Sequence, residues 1–494
     1  MCGIAGGFGN PDREIIEEML AMMRHRGPND SGVYQSPGVV LGHNRLTIID
    51  LNTGRQPLSN ENGDLWLVYN GEIYNYRQLR SWLMDRGHCF KTNTDSEVLV
   101  HLYEEMGPRM VDHLDGMFAF ALCQGGRFML ARDRLGIKPL YYGRDSGGTL
   151  YFASEIKALL GVCPDVKEFP NGNYYTHDQG LQPYFYLQPL EDAVEKDLQR
   201  AVNTLREKLK AAVKKRLVAD VPVGVFLSGG LDSSLIAAMA RESVEGELHS
   251  FAVGMAGCKD LEFSRVVARH LGTVHHTYEY QPGEVIEALP EVIYHLESYD
   301  PALVRSAIPT FFVSRLASRH VKVVLSGEGA DELFAGYEYL RRPGCGDLNR
   351  ELLTITSALH NTNLQRVDRM TMAHSIEGRV PFLDVDVVRY ALRLSGELKL
   401  PPGRPVEKWV LRKVAESYLP QRVVWREKEK FAYGTGTSQV LSRWVETAFR
   451  GGKKMPGGSR EEMLYRSIFR RHFPQAVADR LVGRTRSVVP GEIV

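Results

Sequence analysis

A short stretch rich in glycine and serine, Ser-Gly-Gly-Leu-Asp-Ser-Ser at residues 228–234, has the composition of an anion-binding loop. It stands between an apolar run at 221–227 and an alanine-rich run at 235–240, an order that predicts strand, loop and helix. Such a loop offers backbone N–H groups and hydroxyls to a phosphate. Asp232 would repel that phosphate unless a divalent cation such as Mg²⁺ lay between them. The loop has no Walker A lysine, and a plain Gly-Gly turn is the alternative.

Cys2 would become the first residue of the chain if Met1 were removed, and the small Gly3 behind it favours that processing. An α-amine has a pKa of about 7.7–8.0 and a thiol one of about 8.5, so the amine can accept the thiol proton near neutral pH. This pairing predicts a nucleophile that carries its own base. The alternative is a small apolar residue at the start of a strand. The other cysteines match no zinc spacing and are expected to be reduced thiols.

Four polar segments follow this cysteine: RHRGPND at 24–30, GHNRLTIID at 42–50, VYNGEIYN at 68–75 and TNTDSE at 92–97. Singly, Asn70-Gly71 predicts a hairpin turn, Asp95 a helix N-cap and Arg45 a surface ion pair. Together with Cys2, the segments resemble the glutamine amidotransferase domain of the N-terminal-nucleophile hydrolases, over residues 2–171. The resemblance implies an αββα sandwich, in which two antiparallel sheets lie between helices.

The same resemblance implies roles in glutamine hydrolysis, with glutamate and ammonia as products. The Cys2 thiolate attacks the side-chain amide, and the Asn70 side chain and the Gly71 N–H form the oxyanion hole. Arg45 binds the α-carboxylate of glutamine, and Asp95 binds its α-ammonium. The expected glutamine-binding residues are Arg45, Leu46, Thr47, Ile48, Ile49, Asn70, Gly71, Glu72 and Asp95.

The second half alternates between strand-like and helix-like runs. Strands are predicted at 221–227, 249–254, 273–280 and 321–325, and helices at 192–217, 235–241, 262–271 and 285–296. The irregular stretch from 174 to 190 is interpreted as the boundary before them. Such alternation predicts a parallel sheet with helices on both faces, and ligands bind such sheets at the carboxyl ends of the strands.

A second loop rich in glycine and carboxylates, SGEGADELFAGY at 326–337, follows the last of these strands. The two loops should therefore meet at one edge and could share a Mg²⁺–pyrophosphate unit. SGGLDSS resembles the pyrophosphate loop of the N-type ATP pyrophosphatases. With the second loop, the segments at 295–300 and 375–384 and the first half, it resembles the glutamine-hydrolysing asparagine synthetase family, over residues 2–474.

The resemblance implies site residues for adenylation of aspartate and amination of β-aspartyl-AMP. Asp232 and Asp331 ligate Mg²⁺, and Glu328 acts on the intermediate as the base that deprotonates ammonia. Arg305 and Lys428 face phosphate or developing charge. The expected ATP-binding residues are Leu227, Ser228, Gly229, Gly230, Asp232, Ser233, Ser234, Val253, Ser326 and Gly327. Arg369 departs from the family, since some relatives have lysine there.

The predicted fold is thus a two-domain α+β and α/β chain. Residues 2–185 form the glutaminase sandwich, and residues 200–494 form a parallel-sheet ATP pyrophosphatase domain with a helical C-terminal part. The expected small-molecule partners are glutamine, aspartate and ATP with Mg²⁺, and a homodimer is the candidate assembly. The expected products are asparagine, glutamate, AMP and pyrophosphate.

Neither the net charge nor the hydropathy of the chain favours a nucleic acid or a membrane as a partner. The formal net charge is +1, which does not suggest a broad nucleic-acid surface. No apolar run reaches the roughly 18 residues of a spanning helix, and the N-terminus does not resemble a signal peptide, so a cytoplasmic enzyme is expected. The alternatives are amidation of another carboxylate, a binding protein with inactive sites, and a tRNA-modifying ATP pyrophosphatase.

Overall fold

A computed structural model of the chain describes residues 2–188, 194–341, 347–404, 406–448 and 459–485. Residues 189 and 190 of the predicted boundary and the first two residues of the predicted helix at 192–217 lie outside these ranges. So does residue 345, one of the six cysteines.

The first half contains two six-stranded sheets in which every pair of neighbouring strands is antiparallel. The first sheet has the order β10-β8-β9-β1-β3-β2, and its strands are β1 Gly3–Phe8, β2 Asp30–Ser36, β3 Val39–Arg45, β8 Tyr141–Arg144, β9 Leu150–Ala153 and β10 Asp165–Glu168. The second has the order β12-β11-β7-β6-β5-β4, and its strands are β4 Leu58–Ser59, β5 Leu65–Ile73, β6 Gly116–Gln124, β7 Arg127–Arg132, β11 Asn173–Thr176 and β12 Gly180–Pro183.

Apolar side chains from both sheets fill the space between them. Ile4 and Leu41 of the first sheet belong to one core with Ala119 and Leu130 of the second, and all four are buried. Helix α1 (Arg13–Met22) packs outside on β1 and β3, and α3 (Val98–Met106), next to α2 (Tyr76–Met84), packs on β5. The predicted αββα sandwich is confirmed.

The second half contains one five-stranded sheet, all parallel, in the order β15-β14-β13-β16-β17. Its strands are β13 Val223–Phe226, β14 His249–Gly254, β15 Val274–Glu279, β16 Val323–Leu325 and β17 Glu377–Arg379. Val225 packs with α4 (Leu198–Arg216) and α5 (Leu231–Ser243) on one face, and Phe251 packs with α8 (Leu289–Leu296) and α9 (Pro301–Ala317) on the other. Helices therefore cover both faces, as predicted.

The remaining helices surround this sheet and build the helical C-terminal part. They are α6 Lys259–Leu271, α7 Pro282–Glu287, α10 Ala330–Leu333, α11 Leu348–Ser357, α12 Asn363–Met372, α13 Val385–Arg393, α14 Gly396–Lys399, α15 Trp409–Ala415, α16 Gln421–Val424, α17 Phe431–Gly434, α18 Thr437–Ala448, α19 Arg460–His472 and α20 Ala476–Arg480. Among the described residues, no helix is both long and apolar enough to cross a membrane.

The hairpin turn predicted locally at Asn70-Gly71 and the helix N-cap predicted locally at Asp95 are both wrong. Asn70 and Gly71 are not a hairpin turn but lie inside β5, opposite Ala119 and Phe118 of β6, because the strand pairing continues through them. Asp95 is not the N-cap of α3. The helix begins after Glu97, which makes no side-chain cap bond, and the Asp95 carboxylate accepts hydrogen bonds elsewhere.

Two predicted element boundaries also differ from the structure. The stretch from 174 to 190 was expected to be irregular, but β11 and β12 form a hairpin there and add two strands to the second sheet. The single helix expected at 285–296 is two helices. Pro290 stands in the first turn of α8, where a missing N–H is tolerated, so a new helix begins there.

Buried ion pairs join the two halves of the molecule. Arg26 Nη1 lies 2.8 Å from Glu155 and 2.8 Å from Asp368 of α12. Arg369 lies 2.9 Å from Glu297 and is 1% exposed. Removing one member of such a cluster would strand a buried charge, so the cluster fixes α12 against the sandwich.

Candidate active sites

Cys2 lies directly before β1 and is almost fully buried. Its backbone nitrogen donates a hydrogen bond to Asn70 Oδ1 at 2.9 Å. Asn70 Nδ2 is buried and has no hydrogen-bond partner within the described residues, so this donor is free to bind a substrate oxygen. Burial raises the pKa of the Cys2 thiol. The nucleophile therefore needs a base, and the nitrogen beside Asn70 would be the free α-amine once Met1 is removed.

Gly71 brings the backbone of β5 close to β6. A β-carbon at this position would lie 2.1 Å from Met117 O and 2.7 Å from Phe118 Cα, closer than real atoms approach. Glycine is therefore required for this strand pairing, and the pairing fixes Asn70 beside Cys2.

The expected carboxylate binder, Arg45, ends β3 beside the loop at 46–50. Its Nη2 lies 2.5 Å from Asp50 O and 3.5 Å from Ile49 O, so the loop carbonyls hold the guanidinium. Leu46, Ile48 and Ile49 are buried in this loop, and Thr47 is half-buried. Of these predicted residues, the Leu46 backbone and the Arg45 charge act on Cys2, and both favour the thiolate by opposing the effect of burial on its pKa.

Asp95 and Glu72 have different environments. Asp95 Oδ2 accepts hydrogen bonds from Tyr69 Oη at 2.9 Å and from the Ile73 N–H at 2.8 Å, and burial raises its pKa to about 6. Glu72 Oε1 lies 3.2 Å from Arg379 Nη2 of β17. Burial raises the pKa of Glu72 as well. The Arg379 contact ties Glu72 to the second half of the molecule.

A cavity of about 530 Å³ opens at the carboxyl ends of β13, β14 and β16. That volume suits a nucleotide or another molecule of drug size. Most of the predicted nucleotide residues line it: Leu227, Ser228, Gly230, Asp232, Ser233, Val253, Ser326 and Gly327. Glu328, Asp331, Arg305 and Lys428 also line it, whereas Gly229 and Ser234 do not contribute to its wall.

Hydroxyls and backbone shape the loop at 228–234. Ser228 Oγ lies 3.0 Å from Ser233 Oγ and accepts a hydrogen bond from the Gly230 N–H at 3.3 Å. Gly229 has φ +71°, and a β-carbon there would lie 2.5 Å from the Phe263 backbone, so only glycine fits. A β-carbon at Gly327 would lie 2.9 Å from Ser233 N, so the two loops are in direct contact as predicted.

One lysine joins the two carboxylates that were expected to hold the metal ion. Lys408 Nζ lies 2.5 Å from Asp232 Oδ2 and 2.5 Å from Asp331 Oδ1, and Lys428 Nζ also contacts Asp331. Asp232 Oδ1 is buried and has no hydrogen-bond partner within the described residues. Two carboxylates from different loops thus converge on one positive charge, and one oxygen is left for a further ligand.

Glu328 and Arg305 each have an ion-pair partner. Arg366 of α12 donates a hydrogen bond from Nη2 to Glu328 Oε1, while burial raises the pKa of Glu328. Arg305 Nε and Nη2 each lie 2.8 Å from the carboxylate of Glu461 in α19. The Arg305 guanidinium therefore lines the cavity while it binds a protein carboxylate instead of pointing freely at a substrate.

Comparison with known proteins identifies the families of the two parts of the chain. Residues 1–215 match the family described as a glutamine amidotransferase domain, and residues 204–351 and 342–489 match the family described as asparagine synthase. The chain is 41% identical to the glutamine-hydrolysing asparagine synthetase B of Escherichia coli K12, over 96% of this chain and 92% of that protein. It is 39% identical to the glutamine-hydrolysing asparagine synthetase 1 of Arabidopsis thaliana, over 99% of this chain and 88% of that protein.

The chain belongs to the glutamine-hydrolysing asparagine synthetase family. Family membership fits the order of the two sites along the chain, with the cysteine site in the sandwich and the nucleotide-sized cavity on the parallel sheet. Proteins of this family are ATP-utilising ligases.

In this chain, three charged residues of the second site were not predicted from the sequence. Lys408, Arg366 and Glu461 bind Asp232, Glu328 and Arg305, and each is more than 30 residues from its partner. No local motif marks them in the sequence. A pairing argument could have found them, because each predicted charge in a buried site needs a partner of opposite sign.

Proposed function

We propose that this chain makes L-asparagine from L-aspartate with ammonia released from L-glutamine, and converts ATP to AMP and pyrophosphate. One observation carries the proposal: a buried cysteine beside an unpaired amide donor and a cavity lined by two anion-binding loops occur in one chain of this family. The proposed units are residues 2–185 for glutamine hydrolysis and 200–494 for synthesis. A homodimer in the cytoplasm is the proposed setting.

In the first site, Cys2 Sγ attacks the side-chain carbonyl carbon of glutamine after passing its proton to the α-amine. The developing oxyanion accepts hydrogen bonds from Asn70 Nδ2 and the Gly71 N–H. Arg45 and Asp95 hold the two charges of the amino acid. Ammonia leaves, and water then hydrolyses the thioester to give glutamate.

The carboxylates of the second site fit a Mg²⁺ ion. Mg²⁺ is bound through one or two carboxylates together with phosphate oxygens, and Asp232 and Asp331 already converge on one cation, Lys408. The unpaired Asp232 Oδ1 adds an available ligand atom. When bound, the ion would neutralise charge on the phosphates. Lys408 and Lys428 would then turn from the carboxylates toward phosphate oxygens.

The chemistry in the second site has two bond-forming steps. The β-carboxylate of aspartate attacks the α-phosphorus of ATP and displaces pyrophosphate, while the loop at 228–234 holds the departing phosphates. Ammonia then attacks the carbonyl carbon of the β-aspartyl-AMP and displaces AMP. Glu328 accepts the proton from the attacking nitrogen, and its raised pKa makes it a better acceptor near neutral pH.

Helix α12 gives a physical link between the two sites. Arg26 donates from Nε to Cys2 O at 3.1 Å and binds Asp368, and two residues away Arg366 of the same helix binds Glu328. Ammonia released to solvent would be protonated and lost as a nucleophile. We therefore place its passage along this helix, between Cys2 and Glu328.

The test is incubation of the purified chain with glutamine, aspartate and Mg-ATP. Equal amounts of asparagine, AMP and pyrophosphate are the expected products. ADP in place of AMP would contradict adenylation, and AMP formation without aspartate would identify a different acceptor. If the chain hydrolyses glutamine but consumes no ATP, the glutaminase part of the proposal would stand and the synthetase part would be contradicted.

A further inference from the structure

A cluster of two histidines and two glutamates lies in the sandwich, away from both sites. Glu61 belongs to the turn between β4 and β5, His88 follows α2, and His101 and Glu104 stand one turn apart on α3. One nitrogen or oxygen from each of the four lies within 4.8 Å of the other three. We propose that Glu61, His88, His101 and Glu104 bind a divalent transition-metal ion of the zinc class.

The distances between the ligand atoms match a tetrahedral site. His88 Nδ1 lies 3.3 Å from Glu61 Oε1 and 3.7 Å from Glu104 Oε2, and His101 Nδ1 lies 3.0 Å from Glu61 Oε2 and 3.4 Å from Glu104 Oε2. Nitrogen and oxygen ligands bind zinc at about 2.0–2.1 Å, which places tetrahedral neighbours about 3.4 Å apart. All four ligand atoms lie within 4.8 Å of one another, so the widest pairs would have to close by up to about 1.4 Å to enclose an ion.

Each histidine has a carboxylate near its other ring nitrogen. His88 Nε2 lies 3.2 Å from Glu105 Oε1, whereas His101 Nε2 is buried 3.8 Å from Glu97 Oε1, too far for a hydrogen bond, and has no hydrogen-bond partner within the described residues. Metal-bound histidines characteristically donate their second N–H to such a partner, which orients the ring and makes the ligand more basic. The Glu105 contact turns His88 Nδ1 toward Glu61 and Glu104, and His101 Nδ1 lies beside the same two glutamates.

A hydrogen bond fixes one glutamate of the cluster, and one oxygen of the other glutamate has no hydrogen-bond partner within the described residues. Glu104 Oε1 accepts a hydrogen bond from Asn60 Nδ2 at 2.9 Å, which leaves Oε2 toward the histidines. Glu61 Oε2 is buried and accepts no hydrogen bond within the described residues, although it is 3.0 Å from His101 Nδ1. A cation at the centre would satisfy this oxygen.

The donor set selects the kind of metal. Two imidazoles favour zinc, copper or nickel over Mg²⁺ and Ca²⁺, which prefer oxygen ligands. The two carboxylates balance the two positive charges of the ion. His101 is fully buried and the side chain of His88 is only 11% exposed, so the histidines would shield one side of the ion, whereas Glu104 is exposed on the other. Such an ion would tie the turn and the loop to α3.

The metal site would support the glutamine site of the same sandwich without taking part in its chemistry. Glu97, which faces His101, also accepts hydrogen bonds from the Lys91 and Thr92 N–H groups at 2.6 and 2.7 Å. These residues lead directly to Asp95. Metal binding is therefore expected to stabilise the sandwich more than it changes turnover.

The test is zinc content and thermal stability of the full chain. Protein stripped by a chelator is dialysed against Zn²⁺ with excess Mg²⁺, and zinc is counted by atomic emission. A Cys2→Ala background removes the thiol that could also bind zinc. The expected result is one zinc ion per chain and a higher Tm with Zn²⁺, because an ion that binds only the folded state stabilises it.

Two variants decide between this site and binding elsewhere. His88 lies on a loop, and the variant His88→Gln should lose the zinc ion and the Zn²⁺-dependent Tm shift. The matched control is His270→Gln, at the exposed end of α6, which should keep both. Co²⁺ should give tetrahedral visible absorption that only His88→Gln loses. Equal zinc content in the two variants, or none in the parent chain, would overturn the proposal and leave an ordinary histidine–glutamate ion-pair network.

Discussion

The two candidate active sites of this chain are organised by different kinds of contact. Around Cys2, the sheets fix the geometry: Asn70 and Gly71 are locked in β5, and the free donor of Asn70 needs no movement to bind an oxyanion. At the second site, side chains of opposite charge bind one another, with Lys408 on Asp232 and Asp331 and Arg366 on Glu328.

The difference follows from the substrates. The reacting group of glutamine is a neutral amide, and a rigid oxyanion hole suits its hydrolysis. Under the proposed function the second site must accept the negative charge of ATP, and phosphates and a metal ion would replace the contacts by which carboxylates now neutralise its lysines. The first site is therefore expected to depend on single hydrogen bonds, and the second on the exchange of ion pairs.

Replacing Cys2 should have the largest effect, because it should abolish the activity of the first site and leave that of the second unchanged. Cys2→Ala removes the nucleophile, so glutaminase activity should fall by about 10⁴-fold or more, as for other covalent catalysts. Asparagine synthesis from added ammonium should continue at the parent rate. Glutamate release and asparagine formation are measured side by side, with the buried Cys163→Ala as control. Glutaminase activity equal to that of Cys163→Ala would contradict the role of Cys2.

The reverse separation is expected for Glu328. Glu328→Gln keeps the size of the side chain but cannot accept a proton, so synthesis from glutamine and from ammonium should both fall by about 10²- to 10⁴-fold. Glutamine hydrolysis should persist. The exposed Glu291→Gln of α8 is the matched control. Loss of synthesis from glutamine alone would show that Glu328 acts on ammonia transfer and not on the intermediate.

A smaller loss is expected at the oxyanion hole. Asn70→Ala removes the unpaired Nδ2 donor, and removal of one such donor typically costs about 10²- to 10³-fold in kcat. The loss should appear in kcat for glutamine with little change in KM, since the donor binds the transition state. A change confined to KM would mean that Asn70 binds the ground state.

The smallest of these effects is the pH dependence of glutamine binding. The pKa of Asp95 is about 6, so its negative charge is lost as pH falls through 6, and KM for glutamine should rise there. KM for aspartate should not change over this pH range.

The same carboxylate should affect stability. Because the folded pKa exceeds the unfolded value, ionised Asp95 lowers stability as pH rises from about 4 to 6, and Asp95→Asn should raise Tm at pH 7.5. A KM profile unchanged by Asp95→Asn would contradict its role.

The sequence predicted the architecture because the patterns were local and repeated. β14 matched its expected bounds, and both glycine loops follow strands of one parallel sheet. Asn70-Gly71 misled the local interpretation because turn propensity says nothing about a partner strand that begins more than forty residues later. Tertiary pairing decided that position.

Contacts between distant segments could not be predicted. Lys408, Arg366 and the four residues of the proposed zinc site come from segments with no common motif, apart from the one-turn spacing of His101 and Glu104. Their positions depend on how α3, α12 and α15 pack. Charge pairing is imposed by burial, and burial is known only once the chain has folded.

The central claim is that one chain transfers the amide nitrogen of glutamine to an aspartate that ATP has activated by adenylation. The most direct test supplies glutamine labelled with ¹⁵N in its amide, with unlabelled ammonium in excess, together with aspartate and Mg-ATP. The account predicts asparagine with ¹⁵N in its side-chain amide and one pyrophosphate for each asparagine. Unlabelled asparagine, or labelled asparagine formed with ADP and phosphate, would contradict it.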